Sequence, residues 1–142
     1  MPEPQPHTRR TMAFIAGTLL VLGVLIVLQF LKSPPVISVH AARDLIARDP
    51  TAVLLDVRTE EEFRGPLGHL PAAIRVPVDS LAQALDRLDS LRGRTLVVYC
   101  RSGRRSMNAT AFLREMGFNA LNLEGGILSW RTSQYPVEGG TP

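Results

Sequence analysis

The sequence predicts an α/β domain whose mostly parallel sheet is covered by helices on both faces. Short apolar runs alternate along the chain with stretches of helical periodicity, which is typical of this fold class. The clearest runs are Ala52–Val57 and Leu96–Tyr99, and their continuous apolar character indicates strands that are buried on both faces. From Val36 to the end of the 142-residue chain there is enough sequence for one domain, and too little for two.

The remaining elements follow from the same patterns. Two further strands are predicted at Ile74–Val76 and Ala120–Leu123. Three apolar stripes with helical spacing separate the strands: Ala42, Leu45 and Ile46; Leu81, Ala84, Leu85 and Leu88; and Ala109, Phe112, Leu113 and Met116. Asp79 is the expected N-cap of the second helix, and Gly117 is expected to end the third.

An uncharged apolar segment, Ala13 to Leu31, precedes the domain. As a helix its 19 residues would rise about 28 Å, which is close to the hydrocarbon thickness of a bilayer. No small-x-small cleavage site follows it, so the pattern favours a membrane anchor over a signal peptide. The expected organisation is therefore a tail at 1–12, a lipid-embedded transmembrane helix at 13–31, a linker at 32–35, the domain at 36–137 and a tail at 138–142.

The distribution of charge sets expectations for location and partners. Arg9 and Arg10 precede the apolar segment and only Lys32 follows it closely, which favours a single-pass protein of a bacterial-type inner membrane with its domain on the periplasmic side. From Val36 onward the sequence contains 13 arginines, no lysine and 12 acidic residues. This near balance gives no basic face, so a nucleic-acid partner is not expected.

Cys100 is the only cysteine, which excludes an intrachain disulfide and a CxxC pair. A lone cysteine is usually a small buried apolar residue. Cys100, however, lies between a predicted buried strand and a predicted helix, in the segment Cys100-Arg101-Ser102-Gly103-Arg104-Arg105-Ser106. Backbone N–H groups at the helix start, a turn at Gly103 and the nearby arginines should all stabilise a thiolate and lower the pKa of Cys100.

The residues leave two chemistries open for this thiolate. His69 lies in a turn-like segment rather than beside the cysteine, which disfavours a protease-type dyad. Phosphoryl transfer through a phosphocysteine and sulfur transfer through a persulfide both need only a thiolate in an anion-binding loop. No metal and no cofactor are predicted.

Four ordered segments resemble the motifs of the rhodanese family, over nearly all of Val36 to Val137. They are Leu55–Arg58 with Glu62-Phe63, Gly68–Ile74, Val98–Ser106 and Leu123–Trp130. The resemblance implies a parallel five-stranded sheet and a ping-pong transfer of sulfur. In that reaction the cysteine takes the outer sulfur of a donor such as thiosulfate and passes it to cyanide or a thiol.

The length of the loop favours sulfur transfer over phosphoryl transfer. Four residues separate Cys100 from Arg105, whereas related cell-cycle phosphatases have five, and a tighter loop suits a single extra sulfur. Cys100 is therefore the expected catalytic nucleophile. The expected substrate-binding residues are Arg101, Ser102, Gly103, Arg104 and Arg105, with Asp56, Arg58 and Ser106 in support. Arg101 and Arg105 are the candidates for holding an anionic donor, and Arg104 is equally compatible with a solvated helix start.

Two other functions stay open at this point. One is a membrane-tethered relay or interaction module that hands sulfur to a protein acceptor, and the other is a cysteine-dependent phosphatase or arsenate reductase. The segment Phe63–Gly68 is about two residues longer than the usual spacing in the family, which could reshape one wall of the site.

Overall fold

The computed structural model describes residues 14–26 and 33–141. They belong to two units, which divide at Ser33. In the first unit, residues 14–26 form a helix (α1) whose side chains are exposed. The second unit begins at Pro34 and contains the predicted α/β domain.

The predicted membrane anchor is not borne out. Within the described ranges, no helix combines the length and the apolar character needed to cross a bilayer. The predicted location in an inner membrane is therefore wrong. The lipid contact and the periplasmic domain, which depended on it, are not supported. That prediction counted all of Ala13 to Leu31 as one helix, and residues 13 and 27–31, like the tail at 1–12, lie outside the described residues.

The domain contains a five-stranded, fully parallel sheet, as the fold prediction required. Its strands are β1 (Val36–Ile37), β2 (Val53–Asp56), β3 (Ile74–Arg75), β4 (Thr95–Tyr99) and β5 (Asn119–Leu123). Their spatial order is β1-β5-β4-β2-β3, so β4 lies at the centre between β2 and β5.

Five helices complete the domain: α2 (Val39–Arg48), α3 (Glu60–Arg64), α4 (Leu85–Leu88), α5 (Arg104–Glu115) and α6 (Gly126–Thr132). Two short 3-10 helices, Val78–Ser80 and Asp89–Leu91, flank α4. The predicted helix around Leu81 to Leu88 is therefore interrupted, and the helix start at Val78 is preceded by Pro77 rather than by an Asp79 cap. The stripe was informative about burial, because Leu81, Ala84 and Leu88 are buried even though the backbone between them turns.

The sheet separates two hydrophobic cores, and β4 contributes alternate residues to each. Leu96, Val98 and Cys100 belong to the core under α5, together with Ala109 and Leu113. The intervening Val97 and Tyr99 belong to the core under α2 and α6, as does Trp130. This period-two alternation places Cys100 on the α5 side of the sheet, at the carboxyl end of the central strand.

Candidate active site

Cys100 lies in the turn between β4 and α5. Its side chain is almost fully enclosed, with 1% of the residue exposed. Gly103 adopts a left-handed backbone, with φ of 91°, and the chain turns there into α5. Carboxyl ends of parallel strands are where open α/β sheets place their functional groups, and Asp56 ends the neighbouring strand β2.

The sulfur of Cys100 accepts hydrogen bonds from the turn around it. The Gly103 N–H donates to Sγ at 3.2 Å, and the Ser106 hydroxyl donates at 3.4 Å. Burial alone would raise the pKa of the thiol, but the Ser106 hydroxyl and the N–H groups of Ser106, Ser102 and Gly103 outweigh it, and the pKa of Cys100 is lowered. The prediction that the pKa of Cys100 is lowered is confirmed, and the largest lowering contributions come from Ser106 and the loop backbone.

Helix α6 holds the turn from the opposite side. The Ile127 N–H donates to the Cys100 carbonyl at 3.0 Å, and the Leu128 N–H donates to the Arg101 carbonyl at 3.2 Å. The Arg101 carbonyl and the Ser102 N–H belong to one planar peptide unit and point in opposite directions. Because α6 binds the carbonyl, the N–H of that unit is directed at the sulfur.

The three loop arginines point to different surroundings. Arg105 forms a two-pronged ion pair with Glu62, with Nη1 2.8 Å from Oε2. The guanidinium lowers the pKa of Glu62 to about 2, so this carboxylate stays ionised at neutral pH. Arg104 lines a groove of about 510 Å³ beside Glu124. Arg101 lines a separate cavity of about 270 Å³. Arg105 is the loop arginine that interacts with the sulfur: its pKa is raised first by Glu62 and to a smaller extent by the charge of Cys100 and a hydrogen bond to it.

Asp56 and Arg58 form a fully buried ion pair next to this loop. Arg58 Nη2 lies 2.6 Å from Asp56 Oδ2, and it also donates to the Gly68 carbonyl at 2.7 Å. Arg58 Nη1 donates to the Glu62 carbonyl at 3.2 Å. The pair therefore ties the end of β2 to α3 and to the loop before β3, which matches a structural role in support of the site.

The rhodanese-like domain family matches residues 38–133. The chain belongs to the rhodanese family. The Bacillus subtilis protein YtwF is 35% identical over 100 residues, which cover 70% of this chain and 93% of YtwF. A sulfurtransferase of Allochromatium vinosum is 33% identical over 93 residues, 65% of this chain and 83% of the relative.

Two further proteins resemble this chain over the rhodanese domain. The crystal structure of a rhodanese-related protein from Thermoplasma volcanium has a TM-score of 0.64 at 30% identity, and covers 72% of this chain and 95% of that one. The tRNA uridine(34) hydroxylase of Pectobacterium atrosepticum is 35% identical over 107 residues, but the match spans only 28% of that longer protein. The likeness to the hydroxylase is thus confined to one part of it.

Two contributors to the rhodanese site were not predicted from the sequence as parts of it. Glu62 caps its own helix with Thr59 and also holds Arg105. The spacing Thr59-x-x-Glu62 is a capping-box pattern and could have revealed the first contact, but nothing local reveals the second. Gly126 lies in the motif Leu123–Trp130 and was given no role in the site, yet a Cβ there would lie 2.4 Å from the Cys100 carbonyl oxygen.

Metal binding has no evident location in this site. Within residues 14–26 and 33–141, no three His, Cys, Asp or Glu side chains are grouped closely enough to hold a metal ion.

Replacing Ser106 with alanine should raise the pKa of Cys100, because the variant loses the hydroxyl that donates to Sγ. The thiolate would then form at higher pH than in the wild type. Ultraviolet absorbance of the thiolate against pH measures this, with Cys100→Ser as the blank. Ser90→Ala, at an exposed position in a 3-10 helix, is the matched control. An identical titration midpoint in Ser106→Ala and the wild type would contradict the role given to the hydroxyl.

Proposed function

We propose that this rhodanese is a sulfurtransferase that moves sulfane sulfur from a donor such as thiosulfate to a thiol or cyanide, through a persulfide on Cys100. The observation that carries the proposal is the set of hydrogen-bond donors around Sγ: the Gly103 N–H, the Ser106 hydroxyl and the N–H groups of Ser102 and Ser106. The sulfurtransferase from Allochromatium vinosum, of which the match covers 83%, supports the same reaction class.

The first half-reaction follows from these contacts. The Cys100 thiolate attacks the outer sulfur of the donor and forms an S–S bond. The bond between that sulfur and the rest of the donor breaks, and the donor leaves with the electron pair, as sulfite when the donor is thiosulfate. The loop N–H groups from Arg101 to Arg105 then stabilise the persulfide anion, as preorganised donors do for developing charge. No metal and no cofactor take part.

Donor binding falls mainly to Arg101. Arg105 already shares its guanidinium with Glu62, whereas the Arg101 side chain has no hydrogen bond or ion pair within the described part of the chain. A guanidinium without a partner suits an oxyanion such as the sulfonate end of thiosulfate. Ser102 and Gly103 contribute backbone, and Arg104 adds positive charge at the start of α5.

Intact-mass measurement tests this function directly. Incubation with thiosulfate or another sulfane donor should add one sulfur atom to the protein, and cyanide should remove it. Cys100→Ser should show no adduct, since an alkoxide does not form at neutral pH. An adduct that persists in Cys100→Ser overturns the assignment. Cys100-dependent release of phosphate from an aryl phosphate, without a sulfur adduct, would instead favour a phosphatase.

A further inference from the structure

We propose that the thiol acceptor of this site is an α-amino-acid thiol, a small molecule that carries an ammonium and a carboxylate beside its thiol. The inference rests on the proposed sulfur transfer and concerns the second half-reaction. It comes from the cavity beside the active loop and from the charges that line it.

The cavity, of about 270 Å³, is lined by one residue of the active loop and by one residue that is ion-paired with the loop. Arg101, which follows Cys100 directly, forms part of its wall. Glu62, which forms another part, is the ion-pair partner of Arg105 at the other end of the loop. A ligand bound here would therefore lie against the segment that holds the sulfur, and the volume suits a small molecule.

Four charged side chains line this cavity, and two of them are already neutralised. Arg58 is paired with the buried Asp56, and Glu62 is paired with Arg105. Among the described residues, the side chains of Arg101 and Glu61 have neither a hydrogen bond nor an ion pair. The cavity thus presents one unpartnered cation and one unpartnered anion.

The rest of the wall is largely apolar. Pro66 and Leu67 contribute it, and both belong to the segment that is longer than usual in the family. A zwitterionic thiol matches this layout: its carboxylate pairs with Arg101, its ammonium pairs with Glu61, and its methylene contacts Leu67. A ligand with one charge leaves either Arg101 or Glu61 without a partner, and a carboxylate-only thiol is also repelled by Glu61.

The transfer itself balances in atoms and charge. The acceptor thiol loses its proton to water, and its thiolate attacks the outer sulfur of the Cys100 persulfide. An S–S bond forms between acceptor and transferred sulfur, and the bond to Cys100 Sγ breaks. Cys100 leaves as a thiolate, which the loop N–H groups and Ser106 stabilise, and the acceptor departs as its persulfide. No oxidant or reductant is consumed.

A single-turnover comparison of four acceptors tests the assignment. The full-length protein is loaded with sulfur, freed of donor and mixed with L-cysteine, 3-mercaptopropionate, cysteamine or cyanide, and loss of the sulfur is followed by intact mass. For each acceptor the rate of a variant is divided by the wild-type rate, which cancels differences in thiol reactivity. Glu61→Gln should slow cysteine and cysteamine by about three- to fivefold and should not slow 3-mercaptopropionate. Arg101→Gln should slow cysteine and 3-mercaptopropionate but not cysteamine.

The outcomes distinguish failure of the acceptor assignment from failure of the proposed sulfurtransferase function. Glu115→Gln, the same change at an exposed position at the end of α5, should leave all four rates unchanged. If Glu61→Gln slows all three thiols equally, or none, the acceptor assignment is overturned while transfer to cyanide still supports the sulfurtransferase. If the wild-type protein takes up no sulfur, the proposed function fails, and the acceptor assignment fails with it.

Discussion

Replacing Arg58 with methionine should lower the free energy of unfolding by about 3–5 kcal/mol. The two side chains are similar in length, so the effect comes from charge rather than from a cavity. In the variant, the buried carboxylate of Asp56 keeps the backbone N–H of residue 58, at 2.9 Å, and the Tyr99 hydroxyl, but it loses the guanidinium that neutralises it. The carbonyls of Glu62 and Gly68 also lose their donor. Urea denaturation followed by circular dichroism measures the change.

Two further variants show whether the buried charge is the cause. Arg64→Met removes the cation of an exposed ion pair with Glu60 and should lower the free energy of unfolding by no more than about 1 kcal/mol. Adding Asp56→Asn to Arg58→Met removes the unpaired buried charge, so the double variant should be more stable than Arg58→Met alone. Equal losses in Arg58→Met and Arg64→Met would contradict this account of the pair.

The strands that the sequence predicted most accurately are those that are buried on both faces of the sheet. The runs at Ala52–Val57 and Leu96–Tyr99 match β2 and β4 to within about one residue. Both are central strands, buried on two faces, and their apolar residues mark them in the sequence. β1 has only Val36 and Ile37, and it is a strand because it pairs with β5. Two residues have no periodicity, so the local pattern could not indicate β1.

The same reasoning explains which parts of the site were found. Cys100 to Ser106 is one continuous loop, and its hydrogen bonds to Sγ follow from local backbone geometry. Glu62 reaches Arg105 across 43 positions of sequence, and that contact exists only because the strands bring α3 and the loop together. Counting arginines near Cys100 therefore gave the charge of the loop correctly but could not show which of these charges have partners.

Replacing Gly126 with alanine should disturb both stability and sulfur uptake. Gly126 has a φ of 58°, and an added Cβ would lie 2.4 Å from the Cys100 carbonyl oxygen and 2.7 Å from that of Arg101. Left-handed strain costs about 1–2 kcal/mol and overpacking about 1–3 kcal/mol more, so a total loss of about 3 kcal/mol is expected. Because both contacts are with backbone, the loop or α6 must move to relieve them.

That movement is expected to reach the sulfur. The N–H of Ile127, next to Gly126, binds the Cys100 carbonyl at 3.0 Å, so displacing α6 rotates the peptide units whose N–H groups face Sγ. The rate of persulfide formation should fall at least about tenfold, in line with the sensitivity of reactions to displacements near 1 Å. Rapid-quench mass spectrometry measures the rate at a temperature where the variant stays folded, and urea denaturation measures its stability.

Gly93→Ala is the matched control for Gly126→Ala. Gly93 is also left-handed, with φ of 79°, but a Cβ there meets nothing within 4 Å. The control should therefore lose only the strain of about 1–2 kcal/mol and form the persulfide at the wild-type rate. The difference between the two variants isolates the contact with the Cys100 and Arg101 carbonyls from the backbone strain that both share. If Gly126→Ala formed the persulfide as fast as Gly93→Ala, the orientation of the loop N–H groups would not depend on α6, and the anion-binding loop would have to be set by Gly103 and α5 alone.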